Sequence, residues 1–454
     1  MVSVVVGLGK TGASCVRYLA RRGLPAAVTD SRRDPPGLAE LGTLADMLDM
    51  RLGGFDLSLL DRASQVVMSP GVSLGEPIAV QARARGIEVV GDIELFARAV
   101  RAPVPTLVPP PVIGITGTNG KSTVTSLVAS MAAAAGRRVL AGGNLGKPAL
   151  DLLAEPVPDL YVLELSSFQL ETTRSLDLIA AVVLNVSSDH MDRYASIEAY
   201  TRAKRRIFDH AATIVLNVDD PQVAAMRDAA ARAERPADVL TFSVERADAH
   251  YTLVRHGTEN FLARRGEPVL PVSRMKITGS HNAANALAAL ALGEAAGLPL
   301  AASLSALESF PGLAHRSQWV ADIDGVRYVD DSKGTNVGAT LAAVSGMTGP
   351  LVLIAGGEGK GQDFTPLASG FRNKVRHAVL IGKDAPSIQT VLAGVCPAER
   401  APNMAAAVGA AAAAARPGDT VLLSPACASL DMFRDYAHRG DEFAAAVRAL
   451  GAAS

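Results

Sequence analysis

Cysteine is scarce: three residues in 454, Cys15, Cys396 and Cys427, far apart and without the paired spacing of a zinc site. This argues against a disulfide scaffold or a structural zinc and makes a reducing compartment, the cytoplasm, the expectation. A surplus of one charge is also lacking. With 44 Lys+Arg against 45 Asp+Glu and a net charge of -1, there is no polybasic character for nucleic acid, and 20% charged beside 49% hydrophobic residues argues against extended disorder. Any nucleotide handled is expected to be a small molecule. No run approaches the roughly 20 apolar residues of a membrane span. The longest Ala-rich stretch, Met404 to Ala415, breaks at Arg416-Pro417-Gly418 and suggests a buried or half-buried helix. Basic leader and cleavage site are both wanting at the N-terminus, so Val2 to Val6 suggests a first strand, and no membrane partner is expected. No fixed-period repeat is visible, which removes solenoids and propellers.

What is present is an alternation of short β-branched runs with longer helical patterns, the mark of βαβ units and an α/β fold. The length suggests about three domains at roughly 100–200 residues each. Val2 to Val6 leads through Gly7-Leu8-Gly9-Lys10-Thr11-Gly12 into a helix reaching about Arg22, and Ala26 to Thr29 forms a second strand before Asp30. Asp92 to Val100 is a helix with Asp92 as its expected N-cap. The proline-rich run Ala102 to Pro111 can continue neither helix nor central strand and marks a domain boundary. Beyond it come strand Val112 to Thr116, a Gly-rich loop and a helix from Lys121 to about Ala135, then buried strands at Tyr161 to Glu164, Ile179 to Asn185 and Ile214 to Asn217. Val239 to Ile277 is more polar and suggests a small antiparallel addition. After a helix from about Asn282 to Gly297 and a turn at Pro311-Gly312, strands at Val326 to Asp330, Leu351 to Ala355, Ala378 to Ile381 and Thr420 to Ser424 give a third α/β unit. The expected domains are 1–101, 112–312 and 313–454.

Gly117-Thr118-Asn119-Gly120-Lys121-Ser122-Thr123 stands between a strand and a helix, where glycines let backbone N–H groups wrap a phosphate and the helix dipole favours its charge. Lys121 is placed to reach the outer phosphates and Ser122 a Mg²⁺. Ile115 stands where the general P-loop pattern has its first Gly, so the loop is a variant form. The Gly7 turn with Asp30 matches a dinucleotide fingerprint and alone predicts an NAD-dependent dehydrogenase; a nucleotide-linked substrate in the same turn fits better beside the downstream loop. Glu164 and the Asp189-His190-Met191-Asp192 block follow strands, where ligands of open α/β sheets gather, so Glu164 and His190 are candidates around Mg²⁺. Lys204, in Thr201 to Arg206, is equally a solvated basic helix face. Asn282 and Asn285 are equally helix-cap polar residues. Asp330-Asp331-Ser332-Lys333-Gly334-Thr335-Asn336 closes a strand with polar side chains, a site signal.

In this order these blocks, together with Gly91-Asp92-Ile93-Glu94-Leu95-Phe96, Leu163 to Thr173, Asp189 to Tyr194 and Ser424-Pro425-Ala426-Cys427-Ala428-Ser429-Leu430-Asp431, resemble the Mur ligase family nearly end to end. Departures are local: Gly334 where the family has Ala, Glu358 where Asp is usual, Tyr436 where Phe is common, and a long proline linker. The resemblance implies a Rossmann-like N-terminal domain for a UDP-sugar, a central P-loop-type ATPase domain and a C-terminal Rossmann-like α/β domain that closes over ATP and the amino acid. It implies addition of D-glutamate to UDP-N-acetylmuramoyl-L-alanine in peptidoglycan precursor synthesis. The alternatives are a Mur-type ligase for another amino acid and a folylpolyglutamate synthase-like ligase.

On matching positions, the resemblance assigns Lys10, Thr11, Asp30, Ser31 and Gly71 to the uridine site, and Asn144, Gln169 and His190 to the diphosphate and sugar. It gives two Mg²⁺ to Ser122, Glu164, His190 and a carbamylated Lys204, and ATP to the Gly117–Thr123 loop with Asn282, Asn285, Arg316, Asp331 and Lys333. Thr335, Lys360, Ser429, Leu430 and Tyr436 fall to D-glutamate, and a monomer is expected. The implied chemistry activates a carboxylate as an acyl phosphate with ATP, and the amine of D-glutamate then displaces phosphate. Exclusion of water by the third domain is expected, because water destroys an acyl phosphate.

Overall fold

Aliphatic runs that bury both faces build three mostly parallel sheets, in which burial leaves no alternation of polar and apolar residues along the strand. The structure, a computed structural model, describes residues 1–101, 109–144, 146–227, 237–277, 279–347 and 349–453. The expected linker falls outside them at 102–108.

The first sheet has the order Asp49–Leu52, Ala26–Asp30, Val2–Val6, Ala63–Met68, Glu88–Gly91, all parallel. The order reverses at Val2–Val6, so the Gly7 turn opens at a switch point, where open sheets bind ligands. Helix Lys10–Arg21 follows it and buries Cys15, Val16 and Leu19.

Among the described residues the second sheet has nine strands, and its phosphate-loop strand Val112–Thr116 lies between Leu178–Val183 and Leu160–Glu164. The register sets Ile115 beside both Glu164 and Val182. Three expectations are corrected here. The strand expected to reach Asn185 ends at Val183, releasing Leu184 and Asn185 to brace the phosphate loop. Within 239–277, Asp238–Ser243 joins the main sheet in parallel, and only the strands from Tyr251 to Pro271 pair antiparallel. Asp92 is the first residue of helix Asp92–Arg101 and not a cap before it.

The third sheet runs Gln318–Ile323, Val326–Asp330, Thr420–Leu423, Leu351–Gly356, Val375–Ile381, Ala398–Arg400, parallel except for its first pair. Strand alternation sends Leu351, Leu353 and Ala355 to one apolar cluster with Phe371 and Ile388, and Val352 and Ile354 to another with Met404, Val408 and Phe443. The Ala-rich segment is the helix Met404–Ala414, half-buried through Met404, Ala407, Val408 and Ala411. Contacts divide the chain into two compact units: Met1–Val186, Glu198–Pro271 and Asn285–Glu308 form one; Ser187–Ile197, Val272–Ala284 and Ser309–Ser454 the other.

Candidate active site

In the first unit the phosphate loop is held by its neighbours. Gly117 has φ 152 and Gly120 φ 84, backbone angles that side-chain-bearing residues rarely adopt, just before helix Lys121–Ala134. Asn185, unassigned from the sequence, clamps the loop: its carbonyl accepts from Thr118 N at 2.9 Å, its Oδ1 from Asn119 N at 2.8 Å, and its Nδ2 donates to the Asn119 carbonyl at 3.1 Å. The signal for it was only its place one residue past an apolar run. Asn285 Oδ1 abuts Gly120 closely enough that a Cβ there would meet it at 2.4 Å. Thr118, Ser122 and Thr123 are buried.

Two ammonium groups converge on one oxygen. The Gly117 carbonyl accepts from Lys121 Nζ at 2.9 Å and from Lys204 Nζ at 2.8 Å. Lys121 also donates to the Thr118 carbonyl at 2.8 Å. Lys204 is 1% exposed, with its Nζ 4.4 Å from the Tyr200 ring centre, so it is no solvated face residue. Its helix, Ile197–Arg205, turns Tyr200, Ala203 and Lys204 inward.

Glu164, at the end of the strand beside the loop strand, is 3% exposed. Its Oε1 accepts from Asn144 Nδ2 at 2.7 Å, while Oε2 is buried without a partner among the described residues. A buried carboxylate oxygen left bare is costly unless a cation takes it, so the donor set of Glu164 with the Ser122 hydroxyl suits a hard cation such as Mg²⁺. Among the described residues no three His, Cys, Asp or Glu side chains gather as a metal-holding group. Completion of a shell therefore falls to other oxygens.

A cleft of about 490 Å³ in the same unit is lined by Lys10, Thr11, Asp30, Ser31, Gly71, Asn144 and Gln169. Lys10 Nζ donates to the Gly146 carbonyl at 2.7 Å, joining the Gly7 turn to the wall beyond. Burial raises the Asp30 carboxyl, but hydrogen bonds from Arg32 and the Leu8 N–H outweigh it and hold the carboxyl below its ordinary range. Gln169 is locked: Oε1 accepts from Ser166 N and Oγ, and Nε2 donates to Asp92 Oδ2 at 2.9 Å. Burial pushes the Asp92 carboxyl up to about 6 against the pull of the Gln169 bond. Asn144 both lines the cleft and holds Glu164.

The second unit carries His190, Asn282, Arg316, Asp331, Lys333, Thr335, Lys360, Ser429, Leu430 and Tyr436. Asp331 directly follows the strand Val326–Asp330 and accepts from Ser424 Oγ at 2.8 Å and Ser317 N at 3.1 Å. Burial lifts its carboxyl to about 7, with the Ser424 bond and the Arg316 charge pulling the other way. A methyl on Gly334 would come within 2.7 Å of Asp331 Oδ2 and 2.8 Å of Ser424 Oγ, which accounts for glycine there. Lys333 Nζ lies 3.7 Å from the Tyr436 ring centre. Lys360 and His190 hold left-handed backbone, φ 53 and 56, and both face Asp189, whose Oδ1 accepts from His190 N at 2.9 Å and lies 3.9 Å from Lys360 Nζ. Ser429 is buried and Leu430 exposed.

Arg439 is a second residue the sequence does not mark. Wholly buried, it donates to Ser332 Oγ at 3.0 Å, the Ser332 carbonyl at 2.8 Å and the Cys427 carbonyl at 3.1 Å. It ties the Asp331–Lys333 turn to the segment leading to Ser429.

Three family models match the chain in order: the Mur ligase MurD-like N-terminal domain at residues 2–91, the Mur ligase middle domain at 115–293 and the Mur ligase glutamate ligase domain at 315–427. The chain is 55% identical over 448 residues to the UDP-N-acetylmuramoylalanine–D-glutamate ligase of Nitrosococcus oceani, covering 98% of this chain and 96% of that one. It is 50% identical to the ligase of that name from Pseudomonas aeruginosa, covering 98% of each. Among solved structures, the UDP-N-acetylmuramate-alanine ligase of Thermotoga maritima shares the fold with a TM-score of 0.63 at 18% identity, over 99% of this chain and 100% of that one.

Proposed function

The chain belongs to the Mur ligase family, and we propose that it carries out its ligation with the residues assembled above. It is an ATP-dependent ligase of peptidoglycan precursor synthesis that adds D-glutamate to UDP-N-acetylmuramoyl-L-alanine. The carrying observation is Asn144, which lines the cleft with one part of its residue and holds the Glu164 carboxylate with its amide. One side chain thus spans from a sugar-nucleotide site to a phosphoryl-transfer site.

In this reading Lys10, Thr11, Asp30, Ser31 and Gly71 hold the uridine end, and Asn144, Gln169 and His190 the diphosphate and sugar. Within the 117–123 loop the N–H groups other than those of Thr118 and Asn119, which Asn185 holds, cradle ATP phosphates, with Asn282, Asn285, Arg316, Asp331 and Lys333 completing the nucleotide site. Lys121 leaves the Gly117 and Thr118 carbonyls for the γ-phosphate, offsetting charge as the L-alanyl carboxylate attacks phosphorus and ADP departs. The amine of D-glutamate then adds to the acyl carbon, loses its proton, and the tetrahedral adduct expels phosphate to leave an amide. Thr335, Lys360, Ser429, Leu430 and Tyr436 receive D-glutamate. Ser122, Glu164, His190 and a carbamylated Lys204 would hold two Mg²⁺, which when bound would neutralise charge during phosphoryl transfer.

Carbamylation of Lys204 is supported by the shared Gly117 oxygen. Two ammonium groups each within 3 Å of one atom repel by on the order of 3 kcal/mol at an effective dielectric of about 20. Addition of CO₂ to the neutral amine turns one of them into an anionic oxygen ligand. The enzyme acts in the cytoplasm as a monomer, away from membrane and nucleic acid; no described helix is long and apolar enough to cross a membrane.

Phosphate release across a panel of D- and L-amino acids tests the reading. Release should require both UDP-N-acetylmuramoyl-L-alanine and D-glutamate, with L-glutamate and D-glutamine inert. Turnover on a different amino acid alone would overturn the assignment of substrate.

A further inference from the structure

Tyr436 opens the last helix, Tyr436–Ala453, and three observations join it to the turn that carries Lys333. The Lys333 ammonium lies 3.7 Å from the centre of its ring. The Tyr436 carbonyl accepts from Ser332 Oγ at 2.7 Å. His315, whose carbonyl accepts from Lys333 N at 3.0 Å, meets the ring edge-on at 6.4 Å and 78° and is itself pinned through Nδ1 to Asp330 at 2.7 Å. Backbone and ring of Tyr436 are therefore both fixed against residues 330–333.

We propose that Tyr436 is a positioning residue for Lys333, its ring face presenting the ammonium to the phosphate oxygens of ATP. A lysine has a flexible four-carbon stem, so holding its head in one place has an entropic cost that a pre-set partner reduces. A carboxylate partner would neutralise the charge and compete with phosphate. A ring face attracts the cation through its quadrupole yet has no formal charge and takes up no N–H in an ordinary hydrogen bond. Both Tyr and Phe offer that face, which accounts for tyrosine where the family commonly has phenylalanine. The inference extends the ligase reading in one respect only, the identity of the anion that Lys333 meets; the pairing itself stands on geometry.

The test uses the full-length chain with position 436 changed to Phe, to mono-, di- and trifluorophenylalanine by suppression, and to Leu. Fluorination drains the ring quadrupole with little change of shape. Relative to Tyr436→Phe, kcat/KM for ATP should fall stepwise through the series, to about tenfold lower for trifluorophenylalanine and for Leu. Tyr436 also receives D-glutamate in the ligase reading, so KM for that substrate is compared only across Phe and its fluorinated forms, which keep the ring's shape, and should change less there than kcat/KM for ATP. In ¹³C-lysine-labelled protein, the Lys333 ε-methylene signal, assigned through Lys333→Arg, should be shifted upfield by the ring current and return in Tyr436→Leu. A flat fluorination series, or a loss confined to KM for D-glutamate, would overturn the proposal, as would an unshifted Lys333 signal. A wild-type chain that releases no phosphate with the UDP-sugar and D-glutamate would count against the ligase reading, and the lysine signal would still decide the pairing.

Discussion

Lys204 and Lys121 share the Gly117 carbonyl, and Lys204 does so from a position 1% exposed to solvent. If Lys204 serves as a carbamate, Lys204→Ala should lower turnover by about 10²-fold or more, as removal of a transition-state contact does, and formate or acetate should restore part of it by filling the vacated ligand position. Lys204→Arg should stay inactive, because guanidinium forms no carbamate under these conditions. Rates of phosphate release with and without added carboxylate check this; failure of both anions to rescue Lys204→Ala would count against it. Asp331 offers a second prediction. Its carboxyl is lifted from 3.8 to about 7 by burial, so between those values the folded state keeps a proton that the unfolded state has lost. The stabilisation present below the unfolded value is therefore lost as pH rises to about 7, at up to roughly 1.4 kcal/mol per unit. Asp331→Asn cannot ionise. Its unfolding free energy relative to wild type should climb from pH 4 to 7 and level off above, by denaturant titration at each pH; a flat or falling difference would refute it.

At the scale of elements, the last helix and the Asp331–Lys333 turn depend on one another through Arg439. Its burial depresses the guanidinium to about 10, still charged at neutral pH, and its three contacts are two carbonyls and a hydroxyl with no carboxylate in the set. Arg439→Met should cost about 3 kcal/mol, since acceptors at Ser332 and Cys427 lose a charged donor inside the protein. Arg439→Lys should recover part of that. The denaturation midpoint should shift with an unchanged slope, which is how altered stability without altered compactness appears. A midpoint unmoved by Met would mean that water replaces the guanidinium. Nothing in Tyr436-Ala437-His438-Arg439-Gly440-Asp441-Glu442 marks one polar residue of seven as buried. The strand and helix that flank each phosphate-type turn were legible because apolar runs and glycines act within a few residues; Val2–Val6 and Val112–Thr116 end where the pattern ends. The end of Leu178–Val183 was not, because Leu184 and Asn185 are drawn off the strand by the loop they brace.

At the scale of the whole molecule, the first compact unit holds both the cleft and the phosphate loop, so ligands for either should stabilise that unit. UDP-N-acetylmuramoyl-L-alanine at 100 times its Kd should add about 2.7 kcal/mol to the unfolding free energy. NAD, which the Gly7 fingerprint alone would favour, should add nothing. Calorimetric scans with each ligand check this, and stabilisation by NAD without the UDP-sugar would reassign the turn. By itself the sequence determined the α/β class, the order of the three sheet regions and the strand–loop–helix of the phosphate loop. Those depend on periodicity, on glycine and proline geometry and on blocks of adjacent residues. Tertiary structure alone decided that Lys204 is buried beside Lys121, that Asn144 joins the cleft to Glu164, and that Asn185, Arg439 and Tyr436 hold the turns in place. Each of these is a contact between residues far apart in the chain, where burial and hydrogen bonding are set by which surfaces meet, and no local pattern records that meeting.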